Sequence, residues 1–389
     1  GTITGKLNGV IPRTSPSGEN SLQESIEVLI FLLSLNSYTQ DIYLHCGKVI
    51  DTESGKILKN KTIIVSDNKI AEIKNGYVYS DDSLTQIIDL KLMTVMPGLI
   101  DLHVHLENQF DPKKGKLAFT ANESDIAFNS VEYAKTTLMA GFTTVRDVGG
   151  TGVNIALRNA VKKGKIIGPR IFTAGKTIAS TGGHGDPTNG WKNALKGDPG
   201  PKEGVINGVD DARKAVRQRY KDGSDNIKIT ATGGVMSIAK NGQNPQFTLK
   251  EIRSICETAK DYGMIVAAHA HGDEGIKRAI IGGVTTIEHG TLMSEDSMIL
   301  MKEYGTYLVP TITAGKEVSE KAKIEGYFNE LVVPKALSIG PKSQSTFEKA
   351  YKFGVKIAFG SDAGVFPHGI NAREFFYMNE VGMPEMECI

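Results

Sequence analysis

The stretch Val95-Met96-Pro97-Gly98-Leu99-Ile100-Asp101-Leu102-His103-Val104-His105 decides how the rest of this 389-residue chain is read. It is an apolar run that ends on two histidines spaced i and i+2. In a strand those positions face the same way, so His103 and His105 would present two imidazoles to one space. Alone the pair is a weak signal, because such histidines are common on surfaces and in cores. Its meaning depends on what stands at the ends of the other strands.

Counting Val95–Leu106, eight short apolar or β-branched runs follow one another: Thr143–Val148, Arg170–Thr173, Asn226–Thr230, Ile265–His269, Thr285–His289, Tyr307–Thr311 and Val355–Gly360 are the rest. Amphipathic stretches lie between them, among them Ile126–Met139, Asp210–Lys221 and Leu249–Tyr262. Repeated β-then-α units imply parallel strands with crossover helices. Eight of them predict an α/β fold closed as a (β/α)8 TIM barrel over residues 95–389, with its chemistry at the C-terminal strand ends. A doubly wound sheet is the competing architecture, but no GxGxxG opens a helix after a strand.

On that rim the strand ends carry chemistry. The fifth run ends in Ala268-His269-Ala270-His271-Gly272, the sixth in Ile287-Glu288-His289-Gly290 and the eighth in Gly360-Ser361-Asp362-Ala363-Gly364. His103, His105, His269, His289 and Asp362 thus occupy the ends of four strands. Imidazole and carboxylate ligands suit Zn2+ and similar borderline metals. In Asn226-Ile227-Lys228-Ile229-Thr230 the apolar neighbours would face the helical layer, so Lys228 points inward. A buried ammonium beside metal ions suffers desolvation and like-charge repulsion. Reaction with CO2 would make it a carbamate, an anionic ligand able to bridge two cations. The alternatives are a lysine that snorkels to the rim or pairs with an acid.

Composition narrows the partners. Forty-five Lys and Arg against forty-four Asp and Glu leave a net charge of +1, and no dense basic block offers a footprint for nucleic acid. Hydrophobic residues at 40% and charged residues at 23% fit a globular chain with a sizeable core. Cys46, Cys256 and Cys388 lie far apart and never in CxxC spacing, which argues against a disulfide framework or a cysteine zinc site.

The N-terminal part reads differently. Residues 1–24 lack periodicity, are rich in small and polar residues and read as disordered or foreign sequence. Val28–Leu35 is apolar but too short for a bilayer-spanning helix, so no stable membrane span is expected. Residues 25–40 fit a signal-peptide remnant, with Ser37 and Thr39 as small residues, although Glu24 and Glu27 stand where basic residues belong. A short buried or interfacial helix is the alternative. The signal reading implies a periplasmic or secreted protein, its absence a cytoplasmic one. Over residues 41–94, short strand-like runs punctuated by Gly, Asp and Asn predict a small antiparallel, sandwich-like β domain.

The strand-one motif, with the strand-end Lys, His, His and Asp, resembles the amidohydrolase superfamily. Gly141-Phe142-Thr143-Thr144-Val145-Arg146-Asp147, Ala231-Thr232-Gly233-Gly234-Val235 and Ala267-Ala268-His269-Ala270-His271-Gly272 are similar to its Xaa-Pro dipeptidase and imidazolonepropionase-like branch. The resemblance runs from about Asp41 to Ile389. It implies a binuclear centre of two divalent ions, with Zn2+ the best match: His103, His105 and Asp362 on one metal, His269 and His289 on the other, and carbamylated Lys228 bridging both. In that branch the chain continues past the eighth strand, completes the last helix and returns to finish the small β domain. Here it stops at Met386-Glu387-Cys388-Ile389, which together with residues 1–24 suggests an incomplete or misjoined frame with a truncated last helix and half of the β domain missing.

Two metals would acidify a shared water and polarise the substrate carbonyl. Asp362 would take the proton from the attacking group and pass it to the leaving amine. His184, in the Gly-rich loop Gly182-Gly183-His184, could bind the substrate carbonyl or carboxylate, or be structural. His271 could contact substrate or support a ligand, or simply pack. Arg146 could clamp a carboxylate, with a structural ion pair as its alternative. His368 is a weaker candidate, Tyr220 and Trp191 read as packing residues, and His45 belongs to the surface or the β domain. The resemblance implies a small-molecule or dipeptide substrate, with proline or a hydrophobic residue on the C-terminal side. Hydrolysis of a cyclic amide and a non-catalytic barrel are the other readings. A mononuclear deaminase would not need Lys228 and commonly carries an acid after the fifth-strand histidine. Homo-oligomerisation is left open.

Overall fold

The computed structural model describes residues 41–112, 120–239 and 241–389. The segments read as foreign sequence (1–24) and as a signal remnant (25–40) lie outside the described residues. The chain divides into two compact units, with the division between Met96 and Pro97. Among the described residues no helix is long and apolar enough to cross a membrane.

The first unit holds β1 (Ile42–Asp51), β2 (Lys56–Ser66), β3 (Lys69–Asn75) and β4 (Gln86–Val95) in one sheet of order β3-β2-β1-β4. The pairings β1–β2 and β2–β3 are antiparallel, but β4 runs parallel to β1. The expectation of an antiparallel sandwich is therefore corrected to a single mixed sheet among the described residues. The two runs expected at Ile42–Leu44 and Lys48–Ile50 are one strand with a register shift between Cys46 and Lys48. Gly47 sits at that shift because a β-carbon there would lie 1.9 Å from the Lys91 carbonyl oxygen. Cys46, Val49 and Ile63 form this unit's small core. His45 is buried in it, with Nε2 2.8 Å from the Val78 carbonyl.

The second unit alternates strands and helices. Its strands are β5 (Leu99–Val104), β6 (Phe142–Asp147), β7 (Arg170–Thr173), the two-residue pair β8 (Ala179–Ser180) and β9 (Val205–Ile206), β10 (Ile227–Thr230), β11 (Val266–Ala270), β12 (Thr286–His289) and β13 (Tyr307–Val309). β5-β6-β7 and β10-β11-β12-β13 are two parallel sheets. Single bridges extend them: Ile178 pairs with Ile229, Leu308 with Ile357 and Val104 with Ala363.

Ile227 and Ile229 pack against Ile252, Ile255, Ile276 and Ala279 of the neighbouring helices, all fully buried. Each such side chain contributes about 1.5–3 kcal/mol by leaving water, and Ile229→Ala would cost about 2–5 kcal/mol. Lys228, between them, is turned to the other face. Helix Leu249–Asp261 starts where the sequence requires: Thr248 Oγ1 accepts the Glu251 amide while the Glu251 carboxylate accepts the Thr248 amide at 2.8 Å.

Seven of the eight expected runs coincide with strands. Val355–Gly360 does not, because the segment changes partner halfway. Leu308 bonds to Lys356 and Ala358, whereas Phe359 accepts from Leu102, and Asp362 and Ala363 engage His103 and His105. Gly360 marks the crossing point: a β-carbon there would lie 2.3 Å from Val309 and 3.0 Å from His103. Helix Arg373–Glu380 follows, with Glu374 fully buried and accepting the Ile312 and Thr313 amides, each at 2.7 Å. That carboxylate caps helix Ile312–Lys321.

Candidate metal centre and active site

The histidines and Asp362 do converge. His103, on β5, and His105, just past its end, each place Nε2 3.4 Å from Asp362 Oδ1. That oxygen is buried without a hydrogen-bond partner among the described residues. Such spacing is long for a hydrogen bond, but ligand atoms about 2.0–2.1 Å from a shared tetrahedral ion stand roughly 3.3–3.4 Å apart. An orphaned carboxylate oxygen facing two imidazole nitrogens fits a cation between them.

Two groups of ligand atoms lie within 4.8 Å of one another: His103, His289 and Asp362 form one, and His269, His271 and His289 the other. His289 belongs to both. The imidazoles continue as a chain, with ring centroids 5.0 Å apart for His103 and His289, 4.7 Å for His289 and His269 and 4.4 Å for His269 and His184. His271 therefore stands among the ligand-type nitrogens as well as beside the cavity.

The backbone is bent to achieve this. His289 (φ 73°), Thr311 (φ 50°) and Asp362 (φ 64°) are all left-handed, at the ends of β12 and β13 and in the eighth segment. Each costs about 1–2 kcal/mol for a residue with a β-carbon. On a regular strand Glu288 and His289 would face opposite ways; the left-handed turn at His289 lets both serve one site. Strain of this kind concentrates at functional positions.

His103, His105, His271 and His289 are also fixed from behind, whereas His269 places Nε2, not Nδ1, 3.1 Å from the Gly233 carbonyl. His103 Nδ1 lies 2.7 Å from Glu288 Oε2, His105 Nδ1 2.9 Å from the Gly149 carbonyl, and His289 Nδ1 2.6 Å from Thr311 Oγ1. His271 Nδ1 lies 3.0 Å from Thr291 Oγ1. With Nδ1 engaged, Nε2 is left to face the cavity, the arrangement metal-binding histidines require. Burial holds His103, His269 and His289 well below the ordinary value of 6.5 and, helped by the Lys228 charge, brings His105 and His271 down to about 4. These rings are neutral near pH 7, with lone pairs free for a cation.

Lys228 is buried under this cluster, and burial lowers its ammonium from 10.5 to about 8. Burial likewise raises Asp362 to about 8, against the pull of Lys228. No ion pair within 4 Å joins Lys228 to an acid among the described residues, while the charges of Glu288 and Asp362 act on it across the site. Lowered in this way, the amine has a larger unprotonated fraction near neutral pH than an ordinary lysine, and the unprotonated amine is the form that reacts with CO2.

Arg146 corrects one expectation. Its Nε donates to the Leu102 carbonyl at 2.6 Å, Nη1 to Thr286 Oγ1 at 3.2 Å and Nη2 to Glu288 Oε1 at 2.7 Å. All three faces of the guanidinium are engaged in the interior, and it does not line the cavity; its role here is the structural ion pair. Glu288, fully buried, was not singled out from the sequence. A carboxylate directly before the strand-end histidine His289 was the signal available. His368, 2.9 Å from the Asn108 carbonyl and stacked on Tyr133, is structural. Tyr220 stacks on Tyr262, centroids 4.3 Å apart.

His184 faces the cavity with a buried Nδ1 that has no hydrogen-bond partner among the described residues, and burial lowers its imidazole to about 3. Its ring lies against Gly234, where a β-carbon would fall 2.3 Å from it. The cavity, about 200 Å3, is lined on one side by Val235, Met236, Val318, Ile339 and Val365. Imidazoles, a carboxylate and an amine thus meet one apolar wall.

Comparison with known proteins agrees with this layout. The amidohydrolase family model matches residues 94–389. An ochratoxinase of Aspergillus niger is 31% identical over 367 residues, covering 89% of this chain and 74% of its own. A solved Xaa-Pro dipeptidase with methionine bound in its active site is 52% identical with a TM-score of 0.87, covering 90% of this chain and 86% of its own. A prolidase complexed with N-methylphosphonate-L-proline is 33% identical with a TM-score of 0.78, covering 90% and 85%.

Proposed function

Because this chain belongs to the amidohydrolase family, whose relatives hydrolyse carbon–nitrogen bonds, we propose that it is a binuclear metal-dependent dipeptidase. Its substrates are dipeptides with proline or a hydrophobic residue on the C-terminal side. The supporting observation is the convergence of buried neutral imidazoles on Asp362 and Lys228 beside an apolar wall. We read the two parallel sheets and their bridging segments as one (β/α)8 barrel over residues 95–389, with residues 41–94 as a separate β domain.

In this reading His103, His105 and Asp362 hold one divalent ion, His269 and His289 the other, and carbamylated Lys228 both; Zn2+ best suits the donor set. The metals, when bound, supply an acidified water and a Lewis acid for the scissile carbonyl. Asp362, in contact with both HxH imidazoles, accepts the proton released by the attacking water and returns it to the leaving nitrogen. His184 reaches the cavity as a neutral ring able to donate one hydrogen bond to the carbonyl oxygen. His271 supports the second metal position or touches substrate. Val235, Met236 and Ile339 take the hydrophobic side chain of the C-terminal residue.

The test is metal per chain by elemental analysis of protein purified without chelator, followed by a panel of Xaa-Pro and Xaa-hydrophobic dipeptides. About two metals with dipeptide cleavage is the expected result. One metal, or cleavage confined to cyclic amides, would replace this reading.

A further inference from the structure

Lys335 is a second buried lysine, and the mechanism above leaves it unused. It stands on helix Val333–Ile339, whose buried residues are Lys335, Ala336 and Ile339. Its Nζ donates to the carbonyls of Gly234 at 3.2 Å, Ala239 at 2.6 Å and Ser237. A neutral amine carries two hydrogens, so three acceptors select the protonated form. Burial alone acts on its pKa, downwards, and among the described residues no carboxylate pairs with it. A buried charge of this kind persists where each N–H finds an acceptor. Here all three acceptors belong to one loop, residues 234–239 after β10.

The base of that loop is held without Lys335: Thr232 bridges Pro245, and the Gly233 amide donates to the Asn244 carbonyl at 3.0 Å. Past the base, Ser237 Oγ donates to the Gly234 carbonyl at 3.1 Å, and the ammonium gathers the rest. Val235 and Met236 lie between the first two clamped carbonyls. Both line the metal cleft and pack on the cluster of Val318, Ala322 and Ala336. The helix therefore holds this wall twice, through an apolar contact and through charge-assisted hydrogen bonds. Lys335 itself does not line the cleft, whereas Ile339, one helical turn on, does.

We propose that Lys335 is a positioning residue for substrate selectivity: its ammonium clamps residues 234–239 so that Val235 and Met236 form a fixed wall against the C-terminal side chain of the substrate. The part about substrate rests on the proposed dipeptidase reading. Without the clamp three carbonyls lose their donor, the loop seeks water, and the wall no longer distinguishes a large apolar side chain from a small one.

Full-length protein, purified with its metal, is assayed on Ala-Leu and Ala-Ala, which differ only in the side chain that meets the wall. Lys335→Met keeps the apolar stem and removes the ammonium. It is expected to lower the preference for Ala-Leu, the ratio of the two kcat/KM values, about tenfold with metal per chain unchanged. Lys335→Gln keeps donors for two carbonyls and is expected to lose about threefold; it carries the test where the Met variant does not fold. An unchanged ratio, or equal losses on both dipeptides, would make Lys335 structural only and overturn the role. Calorimetric binding of L-leucine against L-alanine gives a readout that needs no catalysis, and the same fall in leucine preference is expected there. No leucine preference in the parent protein would also overturn the role. A leucine preference that Lys335→Met abolishes, in a protein that cleaves no dipeptide, would refute the dipeptidase reading while sustaining the clamp.

Discussion

His103 Nδ1 and Glu288 Oε2 lie 2.7 Å apart, and that contact decides which nitrogen of His103 faces the cleft. Glu288 is held in turn by Nη2 of Arg146 at 2.7 Å and by the Thr286 hydroxyl, so the imidazole is oriented through a buried chain crossing from β6 to β12 to β5. A carboxylate behind a metal-binding imidazole fixes its tautomer and raises its basicity.

Replacing Glu288 by Gln keeps the shape and removes the charge. Metal affinity is expected to fall about 10–100-fold, measured by competition with a chromophoric chelator. Arg146 then becomes a buried charge without its partner, a loss of about 3–5 kcal/mol that appears as a lower Tm. An Arg146→Met, Glu288→Gln double variant should recover part of that stability without recovering metal affinity. Wild-type affinity in the single variant would show that the contact does not tune the site.

Lys228→Ala should lose metal and activity together, because the proposed function makes its carbamate the ligand that would bridge both positions. Added short-chain carboxylic acids, which supply a bridging carboxylate, should restore part of both. Unchanged metal content in the variant would sink the bridging role.

The metal-site candidates were legible in sequence because they sit at strand ends, where period-two alternation and a terminal position place a side chain without knowledge of packing. His103, His105 and His269 follow that rule, and Lys228 follows the alternation from within β10, whereas His289 and Asp362 reach the site through left-handed turns that alternation does not foretell. Glu288 and Arg146 do not follow it either: they are 142 residues apart, on strands of two different sheets, and only the folded chain brings them together. The Val355–Gly360 segment looked like a strand by composition, but composition does not reveal that it changes partner at Gly360.

Glu374 provides a pH signature from outside the ligand set, and its charge also helps to raise Asp362. Burial lifts its carboxyl from 4.5 to about 7, outweighing the bonds it accepts from Thr313 and Ile312. Between about pH 4.5 and 7 the native state therefore holds a proton that the unfolded chain has released, and stability falls as pH rises through that window. The span corresponds to at most about 3 kcal/mol. Thr313 Oγ1 can donate to the carboxylate or accept from the acid, so the cap survives both states. Denaturant unfolding from pH 4.5 to 8 should show this decline, and Glu374→Gln should flatten it while lowering stability at the acid end. An unchanged slope in the variant would assign the decline to other groups.

His184 and Gly234 offer the sharpest separation of chemistry from assembly. The His184 ring rests on Gly234 so closely that an added methyl would have to displace it, and it packs on the His269 ring with centroids 4.4 Å apart without being one of the groups bonded to Nδ1 of His103 or His105. His184→Ala is expected to lower kcat by about 10²–10³, the usual effect of losing one hydrogen-bond donor to a developing oxyanion. Metal content should stay that of the parent. Gly234→Ala should reproduce the defect by pushing the ring off its position, and the double variant should be no worse than either single one, since both remove the same contact. Additive losses would mean that Gly234 shapes the apolar wall through Val235 instead, and a loss of metal in either variant would assign His184 to the metal centre.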